Sequence, residues 1–362
     1  SIRLATVGTD ELYNKINDIK SDIPTLGNIY VFDDVSEIPN WEDIKTAGAN
    51  IDDAEIDKRS AKIKTEDMAT MIYTSGTTGN PKGVMLSHRN ILANVEGCIP
   101  RIPVGAYARC LSFLPVCHVY ERMLHYLYIH LGASIYFAES LVTIGANMLE
   151  VKPHAFTAVP RLLEKVFDKI MAKGDDLTGI KRKLFFWAVE VAEEYDTVGK
   201  SAIYKAKLAV ARKLIFSKWL AALGGEVKVV ASGSAALSPR LARIFLAAGV
   251  NVLEGYGLTE TSPVVSVNCL KKGIRIGTVG PLLENVQVRI ADDGEILVKA
   301  PSVMMGYYNN PEATAEAIDA DGWFHTGDIG TMVEDKFLKI TDRKKEIFKT
   351  SGGKYIVPQV ME

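Results

Sequence analysis

The pattern of apolar and polar positions changes character several times along the chain. Residues 1–56 hold one strand-like run, 28–32, among acidic and polar stretches. Residues 52–67 are dense in charge and read as a linker or a surface helix. A short apolar run at 69–73 then leads into a Gly/Thr/Ser loop and a second apolar run at 83–86. Further on, short apolar runs at 111–114, 155–159, 227–231 and 250–253 read as buried strands. Helices are predicted at 160–173, opening with Pro160, and at 239–248, with Ser238 and Pro239 as cap and first turn. Residues 181–223 form a long helical stretch broken near 197–199, with Leu184, Phe185, Trp187, Ala188, Val191 and Ala192 at mostly helical spacing. This alternation predicts an α/β fold with a parallel or mixed sheet and helices on its faces. After about Gly277 the texture turns β-rich, and Asp292-Asp293-Gly294 between two apolar runs marks a hairpin. There is no internal repeat and no low-complexity tract.

Composition narrows the picture modestly. Hydrophobic residues are 48% and charged residues 24% of 362, an ordinary globular balance. The net charge of −2 offers no global reason to hold nucleic acid. Cys98, Cys110, Cys117 and Cys269 form no CxxC pair, so they read as reduced, buried thiols of a cytoplasmic protein. The chain opens without an initiator Met or signal peptide, and no apolar run spans a bilayer. Its last residues run off without a stop signal, so the expectation is a fragment.

The densest chemistry lies in Thr74-Ser75-Gly76-Thr77-Thr78-Gly79-Asn80-Pro81-Lys82-Gly83. Its glycines allow close backbone approach, its hydroxyls and N–H groups are donors, and Lys82 adds a cation. Together they suit a polyphosphate. The spacing differs from a Walker A loop, because Pro81 stands where the second Gly belongs.

Residues 71–88 closely resemble the phosphate-binding signature of the adenylate-forming superfamily, which includes acyl-CoA synthetases, luciferases and peptide-synthetase adenylation domains. Tyr256-Gly257-Leu258-Thr259-Glu260 resembles the second nucleotide motif of that family. The resemblance implies that Tyr256 packs against adenine, Thr259 contacts the α-phosphate and Glu260 holds Mg²⁺. Gly233-Ser234-Ala235-Ala236 looks like the loop that lines the adenine pocket. Residues 321–345 resemble the narrower fatty acyl-CoA synthetase signature, departing from it at Phe324, Met332, Glu334, Lys336 and Thr341. By that likeness Asp328 accepts the ribose hydroxyls, Arg343 helps bind ribose or phosphate, and Lys345 is the hinge of a C-terminal domain. Residues 113–118 resemble the segment bordering the acyl carboxylate, with His118 orienting or gating substrate. The carboxylate is itself the nucleophile, so no base is required there. Glu121, three residues on, is not expected to form a metal site with His118.

The resemblance implies a large N-terminal-type domain of mixed sheets with a small β-rich subdomain, the mobile C-terminal domain being mostly absent. The expected division is 1–66 as a remnant of the N-terminal subdomain, 67–276 for ATP and acyl binding, 277–341 as the β-rich part, and 342–362 as the hinge region. The implied activity is ATP-dependent activation of a long-chain fatty acid to acyl-AMP, followed by transfer to CoA. ATP, Mg²⁺ and CoA are therefore expected, with peripheral membrane contact as an option and the oligomeric state open. A fatty acyl-AMP ligase that omits CoA, or a non-catalytic nucleotide-binding module, would retain many of the same residues. A chain ending here is expected to bind ATP weakly, with negligible acyl-CoA synthesis and poorly ordered Gly352 and Gly353.

Overall fold

Apolar runs become strands covered on both faces in the computed structural model, which describes residues 3–74 and 80–343 and the backbone of 348–349 and 355–356. The chain divides into two units, residues 1–64 and 65–362. In the first, strands β1 (Leu4–Val7) and β2 (Asn28–Val31) pair in parallel through helix α1 (Asp10–Asp18). Thr9 caps α1, its Oγ1 accepting from the Leu12 N–H. Helices α2 (Glu42–Gly48) and α3 (Asp53–Ser60) follow. The charged stretch at 52–67 thus contains a helix, α3, that buries none of its side chains.

The second unit begins with an antiparallel hairpin, β3 (Met68–Thr74) and β4 (Lys82–Ser87), followed by α4 (His88–Cys98). An alternating run comes next: β5 (Arg109–Ser112), α5 (Val119–His130), β6 (Ser134–Phe137), α6 (Ile144–Val151), β7 (Ala155–Ala158) and α7 (Pro160–Asp175). Helices α8 (Gly179–Glu193), α9 (Ala202–Ala211) and α10 (Ser217–Ala222) lead to β8 (Val229–Ser232), α11 (Pro239–Ala248), β9 (Val252–Gly257) and β10 (Val264–Val267). The remainder is β11 (Gln287–Ile290), β12 (Glu295–Lys299), β13 (Gly306–Tyr307), α12 (Pro311–Ala317), β14 (Phe324–Val333), β15 (Phe337–Arg343), β16 (Phe348–Lys349) and β17 (Tyr355–Ile356).

A six-stranded sheet in the order β10-β9-β8-β7-β5-β6 centres this unit, parallel except for β10. Successive residues of the inner parallel strands β5, β7, β8 and β9 feed opposite cores. Leu111, Phe156, Val230 and Val252 join the cluster packed by α7, α8, α9 and α11. Cys110, Ala155, Val229 and Leu253 join the cluster packed by α4 and α5. A strand buried on both faces shows no polar alternation, which is why these segments read as plain apolar runs. The antiparallel sheet β11-β12-β14-β15 contributes Ile296, Val298, Phe324 and Leu338 to the second cluster. It therefore shares a core with the large sheet. Strand β13 pairs with β4 in a three-stranded sheet, β13-β4-β3.

Two details differ from the sequence reading. Cys117 is exposed, whereas the other three cysteines are buried, because it lies in the connection between β5 and α5. The long helical stretch breaks between α8 and α9 as expected, and it also winds into a π-turn at Arg212–Phe216. Among the described residues no helix is long and apolar enough to cross a membrane.

Candidate active site

The order β6-β5-β7 places a switch point in the parallel sheet, and the crevice outside the carboxyl ends of such strands is a recurrent ligand site. A cleft of about 690 Å³ opens there, lined by His118 beyond β5, Gly233 and Ser234 beyond β8, and Tyr256, Gly257, Thr259 and Glu260 at and beyond the end of β9. Thr74, Lys82, Asp328 and Arg343 line the same cleft. Thr74 and Lys82 face each other in the β3–β4 register, so the two ends of the hydroxyl-rich loop meet at the cleft. Ser75, Gly76, Thr77, Thr78, Gly79 and Lys345 lie outside the described residues, as do Gly352 and Gly353. Ala235 is exposed and, unlike Gly233 and Ser234, is not on the cleft wall.

Local geometry explains why small residues stand at two of these positions. A Cβ on Gly257 would lie 1.9 Å from the Pro263 carbonyl oxygen, so only glycine lets the chain fold back there. At Gly233 a Cβ would crowd the Tyr120 ring at 3.2 Å. Asn90 and Asn94, one turn apart on α4, hold the facing segments. Asn94 Nδ2 donates to the Val264 carbonyl at 2.7 Å and its Oδ1 accepts from the Val264 N–H at 3.1 Å. Asn90 completes a capping box with Ser87, and its Nδ2 donates to the carbonyls of Pro301 at 2.9 Å and Val303 at 2.8 Å.

Two short networks tie the separate motifs together. The Tyr256 hydroxyl donates to Asp328 Oδ2 at 2.6 Å, and Arg343 Nε lies 3.4 Å from Asp328 Oδ1. Burial, then the neighbouring carboxylate, holds the Tyr256 hydroxyl pKa well above its usual value, so it remains a donor. In the second network the Tyr307 hydroxyl donates to Glu260 Oε1 at 2.9 Å, while Lys82 Nζ sits 4.9 Å from the Tyr307 ring centroid. Burial and then Glu260 raise the Tyr307 hydroxyl in the same way. His118 caps α5, its Nδ1 accepting from the Tyr120 N–H at 3.3 Å. In the neutral ring this leaves the proton on Nε2, a donor rather than a base. Glu121 turns away from His118 into the core. There it accepts from the hydroxyls of Ser112, at 2.6 Å, and Thr157.

Sequence reading missed Tyr307, which lies in a two-residue strand and reaches Lys82 and Glu260 only through the β13–β4 pairing. It also missed Ser232, whose buried hydroxyl lines the cleft without a hydrogen-bond partner. Asn90 and Asn94 carried a usable signal, because buried amides at i and i+4 in an apolar helix need specific partners. Glu254 supports the loop beyond β8 by accepting from the Leu237 N–H at 3.1 Å. Burial lifts its carboxyl to about 7.

A Mg²⁺ ion fits the donor set as one carboxylate, Glu260, completed by phosphate oxygens and water. Among the described residues no cluster of three or more His, Cys, Asp or Glu side chains could hold a metal without a ligand.

The cleft is not confined to polar groups. Val119, Met123, Leu124 and Leu127 of α5 line it, facing Val229 and Leu253 of the sheet. From His118 to Leu127 this wall extends along nine residues of helix, about 14 Å.

Comparison with known proteins shows the family. Residues 4–308 match the family model described as AMP-binding enzyme. Long-chain-fatty-acid–CoA ligase FadD15 of Mycobacterium bovis is 38% identical over 361 residues, 98% of this chain and 59% of its own length. Mouse long-chain-fatty-acid–CoA ligase 6 is 35% identical over 339 residues, 88% of this chain and 48% of its own. The chain thus spans about half to three-fifths of these relatives' lengths. Among solved structures, a Mycobacterium tuberculosis fatty acyl CoA synthetase superposes with a TM-score of 0.68 at 20% identity, covering 98% of this chain and 61% of that one. Apo MatB from Rhodopseudomonas palustris gives 0.69 at 22% identity, covering 99% and 62%. These two likenesses concern the fold. With the family model matched over most of its length, this chain belongs to the AMP-binding enzyme family.

Proposed function

We propose that the protein activates a long-chain fatty acid with ATP and passes the acyl group to CoA. One observation carries this reading: the nucleotide-motif residues at the strand ends and the apolar wall of α5 belong to a single cleft. In the first half-reaction a carboxylate oxygen attacks the α-phosphorus of ATP, and pyrophosphate leaves as acyl-AMP forms. In the second the CoA sulfur attacks the acyl carbon, and AMP leaves. The protein's contribution is positioning and charge neutralisation. Lys82 and the hydroxyl-rich loop neutralise phosphate, Thr259 contacts the α-phosphate, and Asp328 and Arg343 hold the ribose side. Tyr256 presents its ring to adenine beside Gly233 and Ser234. His118 donates from Nε2 to the acyl carboxylate, and Glu260 would hold Mg²⁺, which supplies charge neutralisation at the phosphates.

Residues 67–276 serve ATP and acyl binding in this reading, residues 277–341 contribute Asp328, and residues 342–362 include the hinge Lys345. A reducing cytoplasm suits the free cysteines. Peripheral membrane contact has a natural face. Residues 199–223 carry Lys200, Lys205, Lys207, Arg212, Lys213 and Lys218 with no acidic residue, and Ile203, Val210 and Leu214 are exposed there. Vesicles with anionic lipid should retain the protein at low salt and release it at high salt. Equal binding to neutral vesicles would remove that contact.

The test of the activity is release of pyrophosphate and of AMP by the intact protein across a panel of carboxylates, with and without CoA. Long-chain acids should give the highest turnover, and CoA should raise it. Pyrophosphate release that CoA leaves unchanged, with no AMP release, would point to an acyl-AMP ligase, and release of neither product from any acid would end the proposal.

A further inference from the structure

Lys82 and Glu260 line the same cleft with opposite charges. Among the described residues neither side chain has an ion pair within 4.0 Å, so the two do not pair with each other. What they share is Tyr307. Its hydroxyl donates to Glu260 Oε1 at 2.9 Å, and Lys82 Nζ stands over its ring, 4.9 Å from the centroid. Backbone bonds fix the ring's position. The Met304 N–H donates to the Glu260 carbonyl at 2.8 Å, the Met305 N–H to the Met85 carbonyl at 3.0 Å and the Tyr308 N–H to the Gly83 carbonyl at 2.8 Å. The Tyr307 N–H donates to Thr314 Oγ1 at 2.9 Å. Residues 304–308 thus tie the backbone of Glu260 to β4, the strand that carries Lys82. Tyr307 itself is buried, so its ring has no freedom to swing out.

A cation and a carboxylate on one partly desolvated wall attract each other strongly. If they met, each would neutralise the other. A phosphate would then have to displace the carboxylate from Lys82, and a divalent cation would have to displace the ammonium from Glu260. The phenol gives each charge a weaker partner instead. The ring face attracts the ammonium through its quadrupole, and the hydroxyl donates one bond to the carboxylate. An incoming phosphate or metal ion competes with those contacts more easily than with an ion pair. A residue that only filled space between β4 and the Glu260 loop would need neither the hydroxyl nor the aromatic face.

We propose that Tyr307 is a positioning residue that keeps Lys82 and Glu260 apart, so that the lysine stays free for the phosphates of ATP and the glutamate for a divalent cation. This rests on the activity proposed above and adds to it the device that holds the nucleotide site ready before substrate arrives.

The experiment is isothermal titration of the intact protein with ATP in the absence of Mg²⁺, so that the metal role of Glu260 does not enter. Tyr307→Phe keeps the ring and should change the affinity by less than about threefold. Tyr307→Leu removes it, and the affinity should fall at least about tenfold as Glu260 captures Lys82. In the Glu260→Gln background the same substitution releases no anion and should cost less than about threefold. An equal cost in both backgrounds means that Tyr307 only supports the fold, and it overturns the proposal. Acylation of Lys82 by an amine-selective reagent, read by mass spectrometry, gives a second test that needs no Tyr307→Leu protein. With Tyr307 in place, Glu260→Gln should leave the labelling rate of Lys82 unchanged. Faster labelling in that variant would show that the pair forms despite the ring, which also overturns the proposal. ATP binding that Tyr307→Leu leaves unchanged refutes this inference alone, whereas no ATP binding by the unaltered protein, with or without Mg²⁺, would remove the proposed activity with it.

Discussion

Replacing Tyr256 by Phe tests the link between the two nucleotide motifs. The substitution deletes one oxygen and leaves the ring on the cleft wall. What it removes is the 2.6 Å hydrogen bond to Asp328 Oδ2. Charge-assisted bonds of this kind contribute about 1.5–3 kcal/mol. The low end applies here, because Arg343 stays beside the other carboxylate oxygen at 3.4 Å and water in the cleft can replace the lost donor. A loss near 1.5 kcal/mol corresponds to a fall in Tm of about 2–3 °C for a unit of this size. Calorimetric unfolding reads that loss directly. Isothermal titration with ATP and 2′-deoxy-ATP separates stability from recognition. Tyr256→Phe should weaken both nucleotides together and keep the preference for ribose, since the acceptor remains. Asp328→Ala should weaken ATP by much more than about tenfold and erase that preference. If Tyr256→Phe erases the ribose preference as fully as Asp328→Ala, Asp328 is not the ribose acceptor. An unaltered Tm would show that the bond contributes nothing.

Three further outcomes follow from the same geometry. Glu260→Gln is nearly isosteric and still accepts from Tyr307, so unfolding should be unchanged while Mg²⁺-dependent AMP release by the intact protein falls at least about a hundredfold; unchanged turnover removes the metal role. Asn94→Ala leaves the buried Val264 N–H and carbonyl without their partner and should cost about 2–4 kcal/mol in urea unfolding; a loss under about 0.5 kcal/mol contradicts the pinning role. Glu254 has a folded pKa of about 7, above its unfolded value of 4.5, so the folded state binds the extra proton between them. Stability should therefore decline as pH rises through that window, by on the order of 3 kcal/mol in all. Glu254→Gln should flatten the decline, and a decline of the same slope in that variant locates it elsewhere.

Much of the architecture was legible because it depends on local chemistry. The runs at 155–159 and 250–253 could be read as strands since a parallel strand buried on both faces needs apolar side chains at most positions. The helix at 239–248 matched its observed bounds because Ser238, Pro239 and Gly249 punctuate it at both ends. The hydroxyl-rich loop at 74–83 and the motif at 256–260 stood out because their glycines, hydroxyls and charges are closely spaced in the chain.

The chain order alone could not indicate which distant residues meet. Strand β6 went unread although Ile135, Tyr136 and Phe137 are a short apolar run, and Tyr136 and Phe137 stay exposed because it lies at the edge of the sheet. Tyr307 reaches Lys82 and Glu260 because two residues of β13 add to the edge of β4, a pairing of backbone groups that leaves no side-chain pattern. The Tyr256–Asp328 bond spans 72 positions and joins strands of different sheets. Arg101 carries no signal in the sequence, yet the fold buries it with only part of its hydrogen-bonding capacity met. Local composition determined most of the strands and helices. Tertiary packing decided which side chains are desolvated together, and desolvation sets the strength of their electrostatic interactions.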